Sequence, residues 1–268
     1  MKGCEIVKKL FLSIAALLLI LASQIFATPL LAPTDVQHIA LIYHRLTDDE
    51  TTNSYTITTK DFEDDIQYFL SNGYTFCTAS ELDKVNFESN INEKYVAITF
   101  DDGYSSCYWL ALPILEKYKV KATFFIVGSM LNQPYYMTSR QVTVMSESEY
   151  VEIGNHTYSL HNYSPTELRT IYISEPNYAL EDYKRNNELL TNIIGKDIKA
   201  VAYPYGEYRN YINYTLTSEG LTTFSSDEYL IGTNKCPYPR INRSDDLTPA
   251  TILDRQVNKS VNLYKKTY

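Results

Sequence analysis

The sequence predicts an α/β fold in which helices cover a parallel β-sheet. Short apolar runs such as HIALIY (38–43) and YVAITF (95–100) are typical of strands buried on both faces. Helical patterns separate these runs, and this alternation continues over most of the 268 residues. The alternation is compatible with an open doubly wound sheet and with a closed barrel.

A helix with recognisable ends follows the first run. Thr58 or Thr59 is expected to cap its start, and Gly73 is expected to end it. The side chains expected to face the sheet are Phe62, Ile66, Phe69 and Leu70. This stripe predicts a helix that packs on the sheet along one face.

The remaining elements are predicted from the same signals. YVAITF precedes a helix over 105–118, in which Pro113 predicts a kink or a late start and Trp109 belongs to the apolar face. A long helix is expected from about Ser174 to Gly195. The further predicted strands are ATFFIV (122–127), VEIGN (151–155), KAVAY (199–203), LTTFSS (221–226) and YPRIN (238–242).

The N-terminal segment predicts export. Three lysines precede an apolar run over 10–21, and no charge follows until Asp35. The uncharged stretch is also long enough to cross a bilayer. Residues 1–32 are therefore interpreted as a cleaved signal peptide or as a membrane anchor, and residues 33–268 as the exported domain.

The net charge narrows the class of partner. The net charge is -8, and removal of residues 1–27, which hold three lysines and one glutamate, makes it -10. An acidic surface argues against nucleic acid and suits a neutral polymer or a product that gains positive charge.

Cys77, Cys107 and Cys236 predict one disulfide with a free thiol, or three buried thiols. We expect a secreted or surface-anchored monomer of bacterial origin.

Polar residues follow several of the apolar runs. TFDDG (99–103) is either a hairpin turn or a strand end that presents two acids. The polar pairs and single residues at run ends are Tyr43-His44, Asp101-Asp102, Asn155-His156, Pro204-Tyr205 and Asn242. Chemistry gathers at the carboxyl ends of parallel strands, so this alignment favours a common site over unrelated turns.

The histidines point to a metal. His156 and His161 lie in HTYSLH, directly after a predicted strand. One carboxylate with two imidazoles leaves coordination positions open, which is typical of a catalytic metal site. A spacing of five does not place both rings on one face of a regular helix, so a strand-end loop or an irregular turn must bring them together. Of the two adjacent aspartates, one is expected on the metal and the other free as a base.

TFDDG, ATFFIVG and EIGNHTYSLH together resemble the polysaccharide deacetylase family, also called the NodB-homology or carbohydrate esterase family 4 domain, over roughly residues 36–245. The resemblance implies a distorted (β/α) barrel and a divalent-metal hydrolase that removes N- or O-acetyl groups from polysaccharides. The site residues that it implies are Asp101 as general base, Asp102, His156 and His161 as metal ligands, and the backbone N–H of Tyr205 toward the oxyanion.

Three departures from the family pattern affect the site. The common second histidine position holds Leu160, and the longer spacing resembles the branch that deacetylates poly-β-1,6-N-acetylglucosamine, as do LIYHRL and DFEDDIQYFLSNGYTF. Ala202 stands where the family has an arginine, and Arg240 is the expected replacement contact for Asp101. No histidine follows His161. By elimination His44 is the candidate general acid, the alternative being a core-edge histidine satisfied by backbone.

The predicted function is an exported metal-dependent N-deacetylase of poly-N-acetylglucosamine. The ligand set suits Zn²⁺, and Co²⁺ or Ni²⁺ also fits a mixed N/O site. Among the 25 tyrosines, those expected at the mouth and able to contact sugar are Tyr43, Tyr104, Tyr158 and Tyr205. The alternatives are a deacetylase of peptidoglycan or chitin oligomers, and a catalytically weak module that binds glycans.

Overall fold

The computed structural model describes residues 38–50, 54–82, 84–85, 93–226, 237–244 and 247–257. All of them fall within one compact unit, Asp35–Lys259. The predictions for the leader and for Cys236 lie outside the described residues. Within the described ranges, no helix is both long and apolar enough to cross a membrane. Cys77 and Cys107 are buried free thiols.

The secondary structure alternates as predicted. The strands are β1 (His38–Tyr43), β2 (Arg45–Thr47), β3 (Thr56–Thr58), β4 (Tyr74–Phe76), β5 (Lys94–Phe100), β6 (Ala122–Ile126), β7 (Val151–Asn155), β8 (Ala200–Ala202), β9 (Thr222–Ser226) and β10 (Tyr238–Asn242). Within the described ranges, the helices are α1 (Thr59–Ser71), α2 (Ala79–Leu82), α3 (Leu112–Tyr118), α4 (Ser139–Glu147), α5 (Pro165–Ser174), α6 (Pro176–Ile194) and α7 (Asn210–Ser218), and residues 249–257 are also helical.

Seven parallel strands close into a barrel, which confirms the distorted (β/α) barrel. The order around the ring is β1-β5-β6-β7-β8-β9-β10, and β10 pairs again with β1. Strand β4 extends the sheet beside the first residues of β5. Strands β2 and β3 form a separate parallel pair. All seven strands predicted from the sequence are barrel strands, and their carboxyl ends meet at one mouth.

Alternate strand residues fill the interior. The interior side chains of the barrel strands form a cluster that combines small residues with two phenylalanines. Its strand members are Ala40, Ala97, Phe125, Ala200, Ala202 and Phe224. Gly154 belongs to the same layer, because a Cβ at this position would lie 2.5 Å from the Phe125 ring. The side chains of opposite parity pack outward against the helices.

Helix α1 begins and ends close to the predicted positions. The Thr58 side chain caps it by accepting a backbone N–H of the first turn, and Gly73 follows the last turn with a φ of +76°. The assignment of Leu70 to the buried stripe is wrong, since Leu70 is 43% exposed. Asp65 is buried instead, because Arg243 pairs with it beneath the helix.

The helix predicted over 105–118 changes form midway. Residues 105–106 are α-helical, Cys107–Ala111 is π-helical and α3 follows at once from Leu112, so the helix begins where it was predicted to begin and Pro113 follows the π turn. The wider π turn changes the rotation per residue. Trp109 therefore leaves the buried face and is 65% exposed, contrary to the prediction.

Helices α2, α4, α5 and α7 were not predicted. Three of them begin with a capping box, Thr78 with Glu81 for α2, Thr138 with Gln141 for α4 and Ser164 with Glu167 for α5. These boxes are legible in the sequence as a Ser or Thr followed three residues later by Gln or Glu. Helix α7 has no side-chain cap, so its start carried no such signal.

Candidate metal centre

TFDDG ends a parallel strand and is not a hairpin. Asp102 and Gly103 both have positive φ, 72° and 83°, and the Gly103 N–H donates to the Asp101 carbonyl at 3.0 Å. A Cβ on Gly103 would lie 3.2 Å from Ile126, so glycine also suits the close approach of the two chains. This tight turn lets two adjacent carboxylates take different partners.

Asp102, His156 and His161 converge at the mouth. The Asp102 Oδ1 lies 3.2 Å from the His161 Nε2 and 3.6 Å from the His156 Nε2. One ligand atom from each residue lies within 4.8 Å of the others. The Asp102 Oδ1 is buried and, within the described part of the chain, has no hydrogen-bond partner. A buried carboxylate oxygen facing two imidazole nitrogens fits a divalent cation, which would satisfy all three.

His156 has the protonation state and the tautomer that a metal ligand requires. Its side chain is 2% exposed, and burial lowers its pKa to about 4, so the ring is neutral at pH 7. The Nδ1 lies 2.8 Å from the carbonyl oxygen of Ala202, which can only accept. Nδ1 therefore carries the proton, and the lone pair of Nε2 faces the site.

The five-residue spacing is accommodated by an irregular turn. His156 follows β7 directly, and His161 lies in the 3₁₀ turn Leu160–Asn162. Thr157 between them has a φ of +70°, which a regular helix would not contain. The turn brings the two imidazole rings to a centroid distance of 4.9 Å.

Arg240 holds Asp101, as the sequence analysis expected. Its Nη1 and Nη2 donate to the two carboxylate oxygens of Asp101 at 2.7 and 2.8 Å. Burial opposes ionisation of Asp101, but the charge of Arg240 and its hydrogen bonds to the carboxylate outweigh it, and the pKa of Asp101 lies well below its usual range. The carboxylate is therefore ionised and lies beside the three candidate ligands, 3.7 Å from the His156 Nε2.

His44 lies at the same mouth. It directly follows β1, is half-buried, and meets the Tyr55 ring edge-on at a centroid distance of 5.1 Å. Its charge is among the causes that lower the pKa of Asp101. The position is compatible with a group that exchanges protons near Asp101.

Two of the four candidate tyrosines lie beside the candidate ligands. Tyr205 is 44% exposed, its ring lies 4.7 Å from the His161 ring, and its hydroxyl donates to the His161 carbonyl at 3.1 Å. The ring of Tyr104 stacks on Tyr136, and burial together with the Asp102 charge raises the pKa of Tyr104.

Tyr158 lies between the two histidines in the chain, and its ring packs on α6. The Arg185 guanidinium lies 3.5 Å from the centre of this ring.

The expectation that Tyr43 contacts sugar is wrong. Its side chain is fully buried and its hydroxyl donates to Asp65 on α1 at 2.9 Å. Tyr43 shares the outward parity of Ile39 and Leu41, so it packs against a helix and not toward the mouth. Only its backbone carbonyl serves the site, by accepting the Asp101 N–H at 2.9 Å.

Comparison with known proteins places the chain among deacetylases. A family model described as polysaccharide deacetylase matches residues 88–224. YxkH of Bacillus subtilis, named for the same family, is 30% identical over 169 residues, and the match covers 63% of this chain and 56% of that protein. A poly-β-1,6-N-acetyl-D-glucosamine N-deacetylase of Staphylococcus aureus is 28% identical over 201 residues, covering 72% of this chain and 69% of that protein.

Solved structures share the fold. IcaB from Ammonifex degensii superposes with a TM-score of 0.70 at 24% identity, covering 81% of this chain and 96% of that one. The Streptococcus pyogenes deacetylase PplD, determined in complex with acetate, superposes with a TM-score of 0.66 at 21% identity, covering 82% of this chain and 97% of that one.

Proposed function

The chain belongs to the polysaccharide deacetylase family, and we propose that it is a metal-dependent hydrolase that removes N-acetyl groups from a polysaccharide containing N-acetylglucosamine. The observation that carries this proposal is the convergence of Asp102, His156 and His161 beside an ionised Asp101. Two imidazoles and one carboxylate leave positions open on a cation, as a hydrolytic site requires.

Asp102, His156 and His161 would hold the metal. A divalent cation held there would lower the pKa of a water molecule and polarise the acetyl carbonyl. Zn²⁺ suits this mixed N/O set, with Co²⁺ or Ni²⁺ as alternatives. Two observations support this assignment: the His156 ring is neutral, and the buried Asp102 Oδ1 has no hydrogen-bond partner among the described residues.

Asp101 and His44 would divide the proton transfers. Asp101 takes the proton of the attacking water as general base, and Arg240 keeps its carboxylate oriented through both oxygens. His44 gives a proton to the leaving nitrogen as general acid. This role is supported by the position of His44 directly after β1 and by its electrostatic effect on the pKa of Asp101.

Tyr205 would serve the oxyanion. A backbone N–H aimed at the developing charge is typically worth about 2.7–4 kcal/mol in an acyl-transfer site. Tyr205 has a φ of +56° in the turn after β8 and lies against His161, which supports a role at the reacting carbonyl. Tyr104 and Tyr158 are the proposed sugar contacts.

The favoured substrate is poly-β-1,6-N-acetylglucosamine. This choice is supported by the named activity of the Staphylococcus aureus relative and by the five-residue histidine spacing. The net charge of -8, or -10 without residues 1–27, also suits a product that gains one amine per turnover. We place the mature protein outside a bacterial cell, secreted or tethered by its N-terminal segment, as a monomer.

The decisive experiment compares amine release from β-1,6-linked and β-1,4-linked N-acetylglucosamine oligomers, with metal analysis of the same sample. The proposal expects metal-dependent release, faster on the β-1,6 series. Faster release from β-1,4 oligomers would favour the chitin or peptidoglycan alternative. Binding without release from either series would indicate a glycan-binding member of the family.

A further inference from the structure

The turn between the two histidines is anchored from helix α6. The anchor is Asp182, whose carboxylate accepts the Tyr158 N–H at 2.7 Å and the Ser159 N–H at 3.0 Å. The Ser159 hydroxyl donates to the same carboxylate at 2.6 Å. Asp182 is only 6% exposed. A buried carboxylate that accepts this many donors holds them firmly, because leaving any of them unpaired is costly.

The opposite edge of the turn is bound by the chain after β6. The Gly128 N–H donates to the Thr157 carbonyl at 3.1 Å, and the Ser129 N–H donates to the Tyr158 carbonyl at 2.8 Å. A Cβ on Gly128 would lie 2.8 Å from the Tyr158 ring, so the turn packs directly on this segment. The turn is therefore held between two elements that do not belong to it.

The start of the turn is fixed through Asn155. Its Oδ1 accepts the Thr157 N–H at 2.7 Å and the Asn186 Nδ2 of helix α6 at 2.8 Å. Helix α6 therefore contacts the middle of the turn through Asp182 and supports its start through Asn155, the last residue of β7. The positive φ of Thr157 places the chain in a conformation that a free loop rarely adopts, so these bonds have to stabilise it.

We propose that Asp182 is a positioning residue that makes the five-residue histidine spacing competent to bind metal. By holding the amides of Tyr158 and Ser159, it keeps His161 opposite His156 and Asp102. The hydrogen bonds of Asp182 go to Tyr158 and Ser159 and to none of the three candidate ligands, so its effect acts through the turn that joins His156 to His161. The inference rests on the proposed metal-dependent function, since it concerns the geometry of that same centre.

The test is isothermal titration of the metal-free full chain with Co²⁺. Asp182→Asn replaces one acceptor oxygen with a donor and is expected to weaken Co²⁺ binding roughly 10–100-fold, the usual effect of changing a group that orients a ligand. Glu181→Gln, an equal change at the exposed neighbour on the same helix, should bind Co²⁺ as the wild type does. Ser159→Ala removes one donor only and should give a smaller loss than Asp182→Asn.

Amide hydrogen exchange in the metal-free chain separates positioning from general stability. Asp182→Asn should speed exchange at Tyr158 and Ser159 while β5 and β6 stay protected. Co²⁺ affinity within twofold of wild type in Asp182→Asn would overturn the inference. If that variant does not fold, unchanged Co²⁺ affinity in Ser159→Ala overturns it. If the wild type binds no metal, the proposed function fails and this inference fails with it, whereas equal tight binding by wild type and Asp182→Asn overturns the inference alone.

Discussion

Arg240 and Asp101 are 139 residues apart in the chain and share a bidentate, fully buried ion pair at the mouth of the barrel. The guanidinium also donates to the Thr99 hydroxyl at 2.9 Å and lies over the Phe125 ring. Arg240 on β10 thus holds both carboxylate oxygens of Asp101, the proposed general base.

The first prediction concerns this pair. Arg240→Lys keeps the charge but cannot donate to both carboxylate oxygens in the planar fork. Losing one charge-assisted bond, worth about 1.5–3 kcal/mol, should lower kcat/KM roughly 10–100-fold. The measurement is amine release, with metal content determined in parallel. Bound metal should stay near the wild-type level, and Arg140→Lys at an exposed site on α4 should leave kcat/KM unchanged. Unchanged turnover in Arg240→Lys would contradict the role.

The second prediction concerns the metal ligands. Asp102→Asn and His156→Ala should each lose bound metal, because the first removes the negative charge of the ligand set and the second removes one of its three donor atoms. Elemental analysis after gel filtration measures the loss. Asp101→Asn is the matched control, since it should lose turnover while keeping metal. Stoichiometric metal in both ligand variants would refute the assignment.

The third prediction concerns the general acid. His44→Ala should lower kcat roughly 10²–10⁴-fold, the usual contribution of a positioned acid, and leave metal content near normal. His38→Leu, at the opposite end of the same strand, should retain turnover. Full activity of His44→Ala would mean that the acid lies elsewhere, with Asp101 acting in both steps the first alternative to test.

The fourth prediction concerns the buried ion pair between Arg243 and Asp65 of helix α1. Arg243 donates to both oxygens of Asp65 at 2.6 and 3.0 Å, and both side chains are nearly inaccessible. Asp65→Asn leaves the arginine charge buried and should lower the free energy of unfolding by about 3–5 kcal/mol. The adjacent Asp64→Asn breaks only the exposed pair with Lys60 and should cost at most about 1 kcal/mol. Urea denaturation measures both, and equal midpoints would contradict the prediction.

The fifth prediction concerns pH. Burial lowers the pKa of His38 to about 4, whereas histidine in the unfolded chain titrates near 6.5. The unfolded state therefore binds the proton first, and the stability contributed by neutral His38 is present above about pH 6.5 and lost as the pH falls toward 4. The thermal midpoint should drop more between pH 7 and pH 5 in the wild type than in His38→Leu. Parallel pH profiles for the two proteins would count against it.

Much of the fold could be predicted from the sequence, because strands and helix ends are marked by patterns of neighbouring residues. Apolar runs of strand length predicted all seven barrel strands, and helix caps located α1. The four missed helices lie in segments of mixed polarity, where packing against neighbours outweighs the local pattern. The errors at Leu70 and Trp109 have a related cause, since a buried ion pair and a π turn each changed which residues face inward.

The candidate site was legible for a different reason. Parallel strands deliver their carboxyl ends to one mouth, so His44, Asp101, Asp102 and His156 could be grouped without coordinates. Tyr43 could not be placed correctly, because a strand buried on both faces shows no alternation that reveals which way its last side chain points. Asp182 was missed because an acidic residue on a helix carries no sign that its partners are amides of a distant turn.

By itself the sequence determined which residue types stand at the strand ends and how far apart they lie in the chain, because backbone conformation and hydrophobic periodicity are properties of neighbouring residues. The tertiary structure decided that the sheet closes, that Arg240 reaches Asp101, and that Asp182 holds the turn between His156 and His161. These contacts join residues that are distant in sequence, and their geometry follows from how strands and helices pack, which no local pattern encodes.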